Sequence, residues 1–349
     1  MVGEILKIEN LSKSFGKKAI LKSISLNVEE GEILGVIGAS GSGKTTLLKT
    51  IIGFHKPESG DVKFRHFGLL DEGKKVRRDP FVSVYDESSF AKNMFGFASQ
   101  TPSFYDNLQV RENMLYFGAL YGLGQKELET NINILLTLMD LKKAESSLAG
   151  KLSGGMQRRL DIACAMIHDP AILFLDEPTS DLDPALRNHI WSLVRKINKR
   201  GTTIILASHH LAEVEAFCSR IAIIKEGQLV DVDTPSRLKA KYADSQEIEI
   251  QSYPGHYHNI LDALRKKCKD VTAMKISSSG LIVTSRNTKN VLHEILHIME
   301  KLDEELIDIN VAKPGLDDLF LKITQVHERS EHATPHHQVH PNHPIHHRG

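Results

Sequence analysis

The chain is short of the features that mark secreted, membrane-spanning and nucleic-acid-binding proteins. Its three cysteines, Cys164, Cys218 and Cys268, are far apart and form no metal-ligand or disulfide spacing. They read as reduced thiols of a cytoplasmic protein. Neither sign of charge is in excess: 44 Lys and Arg balance 44 Asp and Glu, so the global basicity expected of a nucleic-acid binder is missing. Long apolar runs are missing too. Ala171 to Leu175 and Ile204 to Ala207 are strand-length, against the roughly 18 residues of a membrane span. Met1 to Leu11 has no basic region followed by an apolar signal core. What is present is an ordinary globular composition, 41% apolar and 25% charged, over 349 residues, a length that predicts two domains.

The most informative stretch is Gly38-Ala39-Ser40-Gly41-Ser42-Gly43-Lys44-Thr45-Thr46, which fits G-x-x-x-x-G-K-[ST]. A short apolar run, Ile33 to Ile37, leads in, and a helix-like run, Thr45 to Ile52, leads out. Glycines let a backbone fold around phosphate oxygens so that successive N–H groups form an anion nest. The helix that follows adds the positive end of its dipole. Lys44 is placed to reach the β and γ phosphates and the Thr45 hydroxyl to ligate Mg²⁺. The alternative, a glycine-rich turn without a ligand, leaves the strand-loop-helix context unexplained.

Downstream, Ile172-Leu173-Phe174-Leu175 is a continuous apolar run that ends in Asp176-Glu177. Such a run suits a buried parallel strand, and ligands of parallel sheets bind at the carboxyl ends of the strands. Asp176 suits Mg²⁺, and Glu177 suits a general base for an attacking water. The bland alternative is an acidic cap for the next helix. His209 follows another expected strand, Thr202 to Ala207, at the same sheet end. Ser153-Gly154-Gly155 ahead of a helix offers a hydroxyl and free N–H groups, a second anion site or a plain cap. Phe15 precedes the phosphate loop and reads equally as a base-stacking ring or a turn aromatic. Residues 65 to 93 read as irregular, with the mixed charge run Asp71 to Pro80 as a solvated loop. Residues 109 to 168 have helical period, and Leu128, Ile132, Leu135, Leu136 and Met139 mark a core face.

After a connector the pattern restarts. Glu247 to Gln251 reads as a strand, Tyr257 to Lys267 as a helix, Val271 to Ile276 and Gly280 to Ser285 as strands, Val291 to Leu302 as a helix and Leu306 to Val311 as a strand. That order, βαββαβ, is the ferredoxin-like arrangement. A last helix is expected over Leu316 to Ile323. From His327 to Gly349 the chain holds eight of its 18 histidines. This tail has no core-forming composition, and its histidines read either as a metal-binding tract or as an adventitious tail.

Jointly, the motifs resemble the ATP-binding subunit of an ABC transporter, over about residues 3 to 235. The elements stand in the family's order: an A-loop aromatic at Phe15, Walker A at Gly38 to Thr46, a Q-loop glutamine at Gln100, the signature Leu152 to Gln157, Walker B with Asp176 and Glu177, a D-loop at Ser180 to Asp183 and an H-loop histidine at His209. The signature region, Tyr116 to Gly122 and Leu316 to Leu321 look most like ABC-2 type export ATPases. The resemblance implies an α/β P-loop NTPase: a RecA-like core, an antiparallel β subdomain and a helical signature subdomain at about 104–168. It places the ATP-binding domain at 1–235, a connector at 236–243, a small α+β accessory domain at 244–324 and a disordered tail at 325–349.

The resemblance also implies the chemistry. Two ATP molecules are sandwiched in a head-to-tail dimer with a second copy or a homologous ATPase. Gly38, Ala39, Ser40, Gly41, Ser42, Gly43, Lys44, Thr45 and Thr46 hold the phosphates, and Phe15 stacks on adenine. Thr45, Gln100 and Asp176 organise Mg²⁺. Glu177 activates water, His209 steadies the γ-phosphate, and Ser153, Gly154 and Gly155 reach it from the other subunit. The partner is a transmembrane permease, with Gln100 to Arg111 as the contact, and the location is the cytoplasmic face of the membrane. The sequence departs from the family pattern in having Phe for the usual Tyr at 15, Asp181 where a small residue is usual, Cys218-Ser219-Arg220 for Cys-Asp-Arg, and a longer link over 65–93. A soluble ABC ATPase is the rival reading. A GTP switch is disfavoured because Asn198-Lys199-Arg200-Gly201 lacks the guanine-reading Asp.

Overall fold

Glu4–Phe15 (β1) and Lys18–Glu29 (β2) form a long antiparallel hairpin whose last pair is Phe15 with Lys18. A two-residue loop closes it, with Gly16 at φ +59°, a value that suits glycine in a tight turn. Both strands run further than the Ile5 to Ile8 and Ser23 to Val28 expected from sequence. Register shifts along the pair let the ladder continue through polar residues such as Lys13 and Ser14. The computed structural model describes residues 3–65, 81–242, 246–268, 270–277 and 280–312. Next come Ile33–Ile37 (β3), Lys44–Ile51 (α1), Ser59–Arg65 (β4) and Phe81–Ser83 (β5). β5 completes an antiparallel sheet of order β2-β1-β4-β5.

Residues 81 to 94 correct the expectation of an irregular link. Beyond β5, Ser88–Met94 is a helix (α2). Val82, Val84 and Ala91 are buried, and Phe90 stacks on Phe64 at 5.8 Å. Tertiary packing, not local pattern, orders this stretch. The charge run over 71–80 lies outside the described residues.

The second sheet is mostly parallel. Its strands are β3, Phe95–Ala98 (β6), Ile172–Asp176 (β7), Thr203–Ser208 (β8), Arg220–Lys225 (β9) and Gln228–Asp233 (β10), in the order β10-β9-β3-β8-β7-β6. Only β10 runs antiparallel to its neighbour. Every residue of β3, β7 and β8 is buried, as a sheet covered on both faces demands. One core joins the two sheets: Leu6, Ile8 and Phe64 pack with Leu34, Val36 and Phe174. Phe95 bridges them, edge-on to Phe64 at 5.8 Å and to Phe174 at 5.4 Å, contacts worth about 0.5–1.5 kcal/mol each beyond burial. Ser219 anchors the start of β9: its N–H donates to Ile33 O (2.8 Å) and its hydroxyl accepts from Ile33 N (3.3 Å).

Between β6 and β7 stand Val110–Leu120 (α3), Gln125–Leu138 (α4) and Gly154–Met166 (α5). Leu128, Ile132, Leu135 and Leu136 are buried, as their spacing predicts. Asn113, fully buried, fastens the preceding loop: its Oδ1 accepts from Tyr105 N (2.7 Å), and its Nδ2 donates to the carbonyls of Tyr105, Leu108 and Gln109. Pro184–Asn198 (α6) and Leu211–Phe217 (α7) flank β8. No described helix is long and apolar enough to cross a membrane.

The chain divides into two compact units between Leu238 and Lys239, within Pro235–Tyr242 (α8). The second unit contains Gln246–Tyr253 (β11), Tyr257–Lys267 (α9), Val271–Ser277 (β12), Gly280–Ser285 (β13), Thr288–Lys301 (α10) and Glu305–Ala312 (β14). The sheet order β12-β13-β11-β14, antiparallel throughout, is the ferredoxin-like topology. Ile248, Ile250, Leu281 and Val283 on one face pack with Ile260, Leu264, Val291, Ile295 and Ile298 of the two helices. The helix expected over Leu316 to Ile323 and the histidine tail lie outside the described residues.

Candidate active site

The carboxyl ends of β3, β7 and β8 point the same way, and Lys44, Asp176, Glu177 and His209 lie at or just beyond them. Between β3 and α1 the backbone turns through Gly41 at φ +77° and Gly43 at φ +107°, conformations that L side chains rarely adopt. At Gly38 a Cβ would stand 2.5 Å from Ile224 O, so the loop passes too close to β9 for any side chain. Lys44, the first residue of α1, folds back over the loop and donates to Gly38 O (2.8 Å) and Ala39 O (3.2 Å). Ser42 Oγ is buried with no hydrogen-bond partner, a donor group left to be satisfied at the floor of the loop.

The Thr45 hydroxyl donates to Asp176 Oδ1 at 3.1 Å. Hydroxyl and carboxylate oxygens are the donors a hard divalent cation takes. Among the described residues no group of three His, Cys, Asp or Glu gathers in a metal-binding cluster. A Mg²⁺ site does not need one, since that ion keeps several waters and binds through few protein oxygens. Burial pushes the Asp176 carboxyl up from its ordinary value, with the Thr45 hydrogen bond opposing. Burial likewise pulls the Lys44 ammonium down, against the Glu177 and Asp176 charges. Both groups are desolvated beyond what their neighbours compensate.

Glu177 takes a left-handed backbone, φ +48°, which is uncommon outside glycine and is concentrated at functional sites. Its N–H extends the ladder to Ala207 O at 2.9 Å. Its carboxylate meets His209 Nδ1 at 2.8 Å and stands 3.9 Å from Lys44 Nζ. These groups line one open cleft of about 410 Å³: Ser40, Gly41, Gly43, Lys44, Thr45 and Thr46 from the loop, then Gln100, Glu177 and His209. Lys18 and Ile20 of β2 line it as well, two residues that sequence reasoning missed because they precede the loop by some twenty positions without a motif of their own.

Other expected residues lie elsewhere. Phe15, 48% exposed at the hairpin tip, packs edge-on against His55 at 5.2 Å. Ser153, Gly154 and Gly155 form the N-terminus of α5, where Ser153 and Gly154 are exposed and none of the three lines the cleft. Asp181, the departure in the D-loop, is left-handed at φ +59°, a conformation Asp tolerates better than most residues. Arg187 Nε donates to Leu182 O at 2.7 Å and holds that loop.

Comparison with known proteins identifies the family. The ABC transporter family profile matches residues 21–180. The linearmycin resistance ATP-binding protein LnrL of Bacillus subtilis is 32% identical, with 92% of this chain and 98% of that protein covered. The daunorubicin resistance ATP-binding protein DrrA2 of Streptomyces coeruleorubidus is 29% identical, with 93% and 96% covered. Among solved structures, cbiO1 of Clostridium perfringens, part of the transporter complex cbiONQ, is 26% identical with a TM-score of 0.58, covering 68% of this chain and 91% of that one. An ATP-binding cassette seen as a dimer after hydrolysis, bound to ADP and phosphate, is 26% identical with a TM-score of 0.55, covering 66% and 99%.

The fold is that of a P-loop ATPase cassette, and the chain belongs to the ABC transporter family. It is the ATP-binding subunit of an ABC transporter, an enzyme whose ATP hydrolysis is coupled to transport. Subunits of this class bind ATP or ADP, form dimers and act with other transporter components at the membrane.

Proposed function

We propose that this chain hydrolyses Mg²⁺-ATP at two composite sites of a head-to-tail dimer, formed with a second copy of itself or a homologous ATPase. The observation that carries this reading is the split placement of the motifs. Lys44, Thr45, Glu177 and His209 line one cleft, with Asp176 bonded to Thr45, whereas Ser153 and Gly154 of the signature are exposed and lie outside it. A two-fold axis that brings a partner's signature over the cleft completes both sites from one sequence.

In this reading the N–H groups of residues 38 to 46 and the Lys44 ammonium hold the phosphates, whose negative charge offsets the desolvation of Lys44. Ser42 Oγ supplies a further donor to the loop's contents. Thr45, Asp176 and Gln100 would hold Mg²⁺, which when bound would neutralise negative charge on the phosphate oxygens. Phe15 stacks on adenine. Glu177 accepts a proton from the attacking water, and His209, bonded to the Glu177 carboxylate, orients it and contacts the γ-phosphate. Ser153, Gly154 and Gly155 approach that phosphate from the partner. Closure follows from better binding of ATP to the closed dimer, and hydrolysis reopens it.

The dimer drives a transmembrane permease from the cytoplasmic face of the membrane. The segment from Gln100 to Arg111 is its contact; it carries the exposed ring of Tyr105, which meets that of Tyr116 edge-on. The names of the relatives, resistance and export proteins, support outward transport. Residues 1–235 form the ATP-binding domain and 244–324 an accessory domain, joined by 236–243.

Glu177→Gln tests the reading. It keeps the shape of the site and removes the base, so ATP still binds while hydrolysis falls by roughly 10²–10⁴. Near-normal turnover in that variant refutes the assignment.

A further inference from the structure

Arg158 belongs to none of the roles above, yet its guanidinium is the most connected side chain near the cleft. It lies in the second turn of α5, five residues after Ser153, or roughly 7.5 Å along the helix axis at ~1.5 Å per residue. It is 7% exposed. Its Nε donates to Pro178 O (3.1 Å) and its Nη2 to Asp176 O (2.9 Å). Its Nη1 donates to Ser99 O (2.5 Å) and to Asp161 Oδ2 (3.2 Å). Asp161, one turn further on, also accepts from Ser103 N at 2.9 Å.

These partners are particular. Asp176 and Pro178 flank Glu177 on either side, so one rigid planar group pins the carbonyl before and the carbonyl after it. Glu177 sits between them with φ +48°, a conformation that persists only when its surroundings hold it. Ser99 is the residue before Gln100, so the same group pins the peptide that enters the Q-loop. Asp161 fastens that loop again four residues later. A single buried fork thus ties the helix that begins with the signature to both elements that face the cleft.

We propose that Arg158 is a positioning residue: it holds Glu177 and Gln100 in place, and it couples the signature at one ATP of the dimer to water activation at the other. This rests on the composite-site reading, in which the signature of α5 serves the partner's nucleotide while Glu177 serves the chain's own. A shift of α5 when the signature engages moves the guanidinium and, through it, both carbonyls around Glu177. Lysine cannot replace it, because a point charge with three rotatable donors does not reproduce a planar fork spanning three segments.

The test is steady-state hydrolysis by the full chain with Mg²⁺-ATP, alongside equilibrium binding of ATP. Arg158→Lys lowers kcat by roughly 10²-fold, the cost of a small misplacement of a catalytic group, and leaves the ATP dissociation constant within about threefold. The Hill coefficient for ATP falls from about 2 towards 1, since two linked sites become independent. A variant with wild-type kcat and cooperativity overturns the proposal, as does one whose binding weakens in parallel with kcat. If Arg158→Lys does not fold, Asp161→Asn decides. It keeps an acceptor for Ser103 N and weakens only the anchor of the fork, so kcat falls by about 3–10-fold at unchanged affinity; a wild-type kcat there also overturns the proposal. Glu177→Gln in the same assay separates the two levels. If that variant still turns over, the role of Glu177 fails on its own, whatever Arg158 does.

Discussion

The two units bury carboxylates in opposite ways. In the second, Glu304 is 7% exposed and fully engaged. It accepts from Ser252 Oγ (2.6 Å), Gly255 N (2.9 Å), His256 N (2.7 Å) and His256 Nδ1 (3.0 Å). Burial pushes its carboxyl up, but these hydrogen bonds win, and its pKa lies below the ordinary value. In the first unit, Asp176 is 1% exposed, its carboxylate accepts from the Thr45 hydroxyl and from no other side chain among the described residues, and burial raises its pKa. A satisfied buried charge closes a loop. An under-satisfied one beside a cleft is a place for a ligand.

The sharpest way to break that contrast is to block the half of the site that the chain does not supply to itself. Ser153→Arg fills the exposed N-terminus of α5 with a long cation, so hydrolysis is abolished while nucleotide binding by the monomer is kept. Loss of binding in the isolated monomer means the signature acts within its own chain. Next in size, Phe15→Ala removes the ring proposed to stack on adenine, raising KM for ATP by roughly tenfold for a contact of about 0.5–1.5 kcal/mol beyond burial, with kcat held. Phe15→Tyr leaves both constants as they were. An unchanged KM in the alanine variant makes Phe15 a hairpin-tip aromatic and no more.

The smallest effect on catalysis is expected from the second unit. Glu304→Ala strands the donors of Ser252, Gly255 and His256 and costs roughly 1–3 kcal/mol of that unit's stability, read as a lowered unfolding midpoint, while ATP hydrolysis persists. The pH dependence has a definite sign. A carboxyl whose folded pKa is depressed stabilises the fold above its unfolded value, near 4.5, and that share is lost as pH falls through the folded value. The variant lacks that acid-dependent part. An equal slope in variant and wild type contradicts the clamp.

Much of the catalytic unit is legible in sequence because its chemistry is local. Gly38 to Thr46, Ser153 to Gly155 and Asp176-Glu177 each declare themselves within a few residues, through spacings that a backbone nest, a helix start or a strand end requires. The βαββαβ order of the second unit reads from periodicity, and α9 covers the residues expected of it. What escapes depends on partners far along the chain. β5 and α2 form because Val82, Ala91 and Phe90 find the core beside Phe64 and Phe95. Arg158 and Glu304 act largely on backbone groups, and a carbonyl or an N–H has no residue type to give it away. Lys18 and Ile20 enter the cleft only because β2 passes it in space.

The central claim is that one chain carries half of two sites. Sedimentation of the Glu177→Gln protein tests it most directly. With ATP and Mg²⁺ the variant, unable to hydrolyse, sediments as a dimer, and with ADP as a monomer; adding Ser153→Arg returns the ATP-bound form to the monomer. A Glu177→Gln protein that binds ATP and stays monomeric at every concentration contradicts the account.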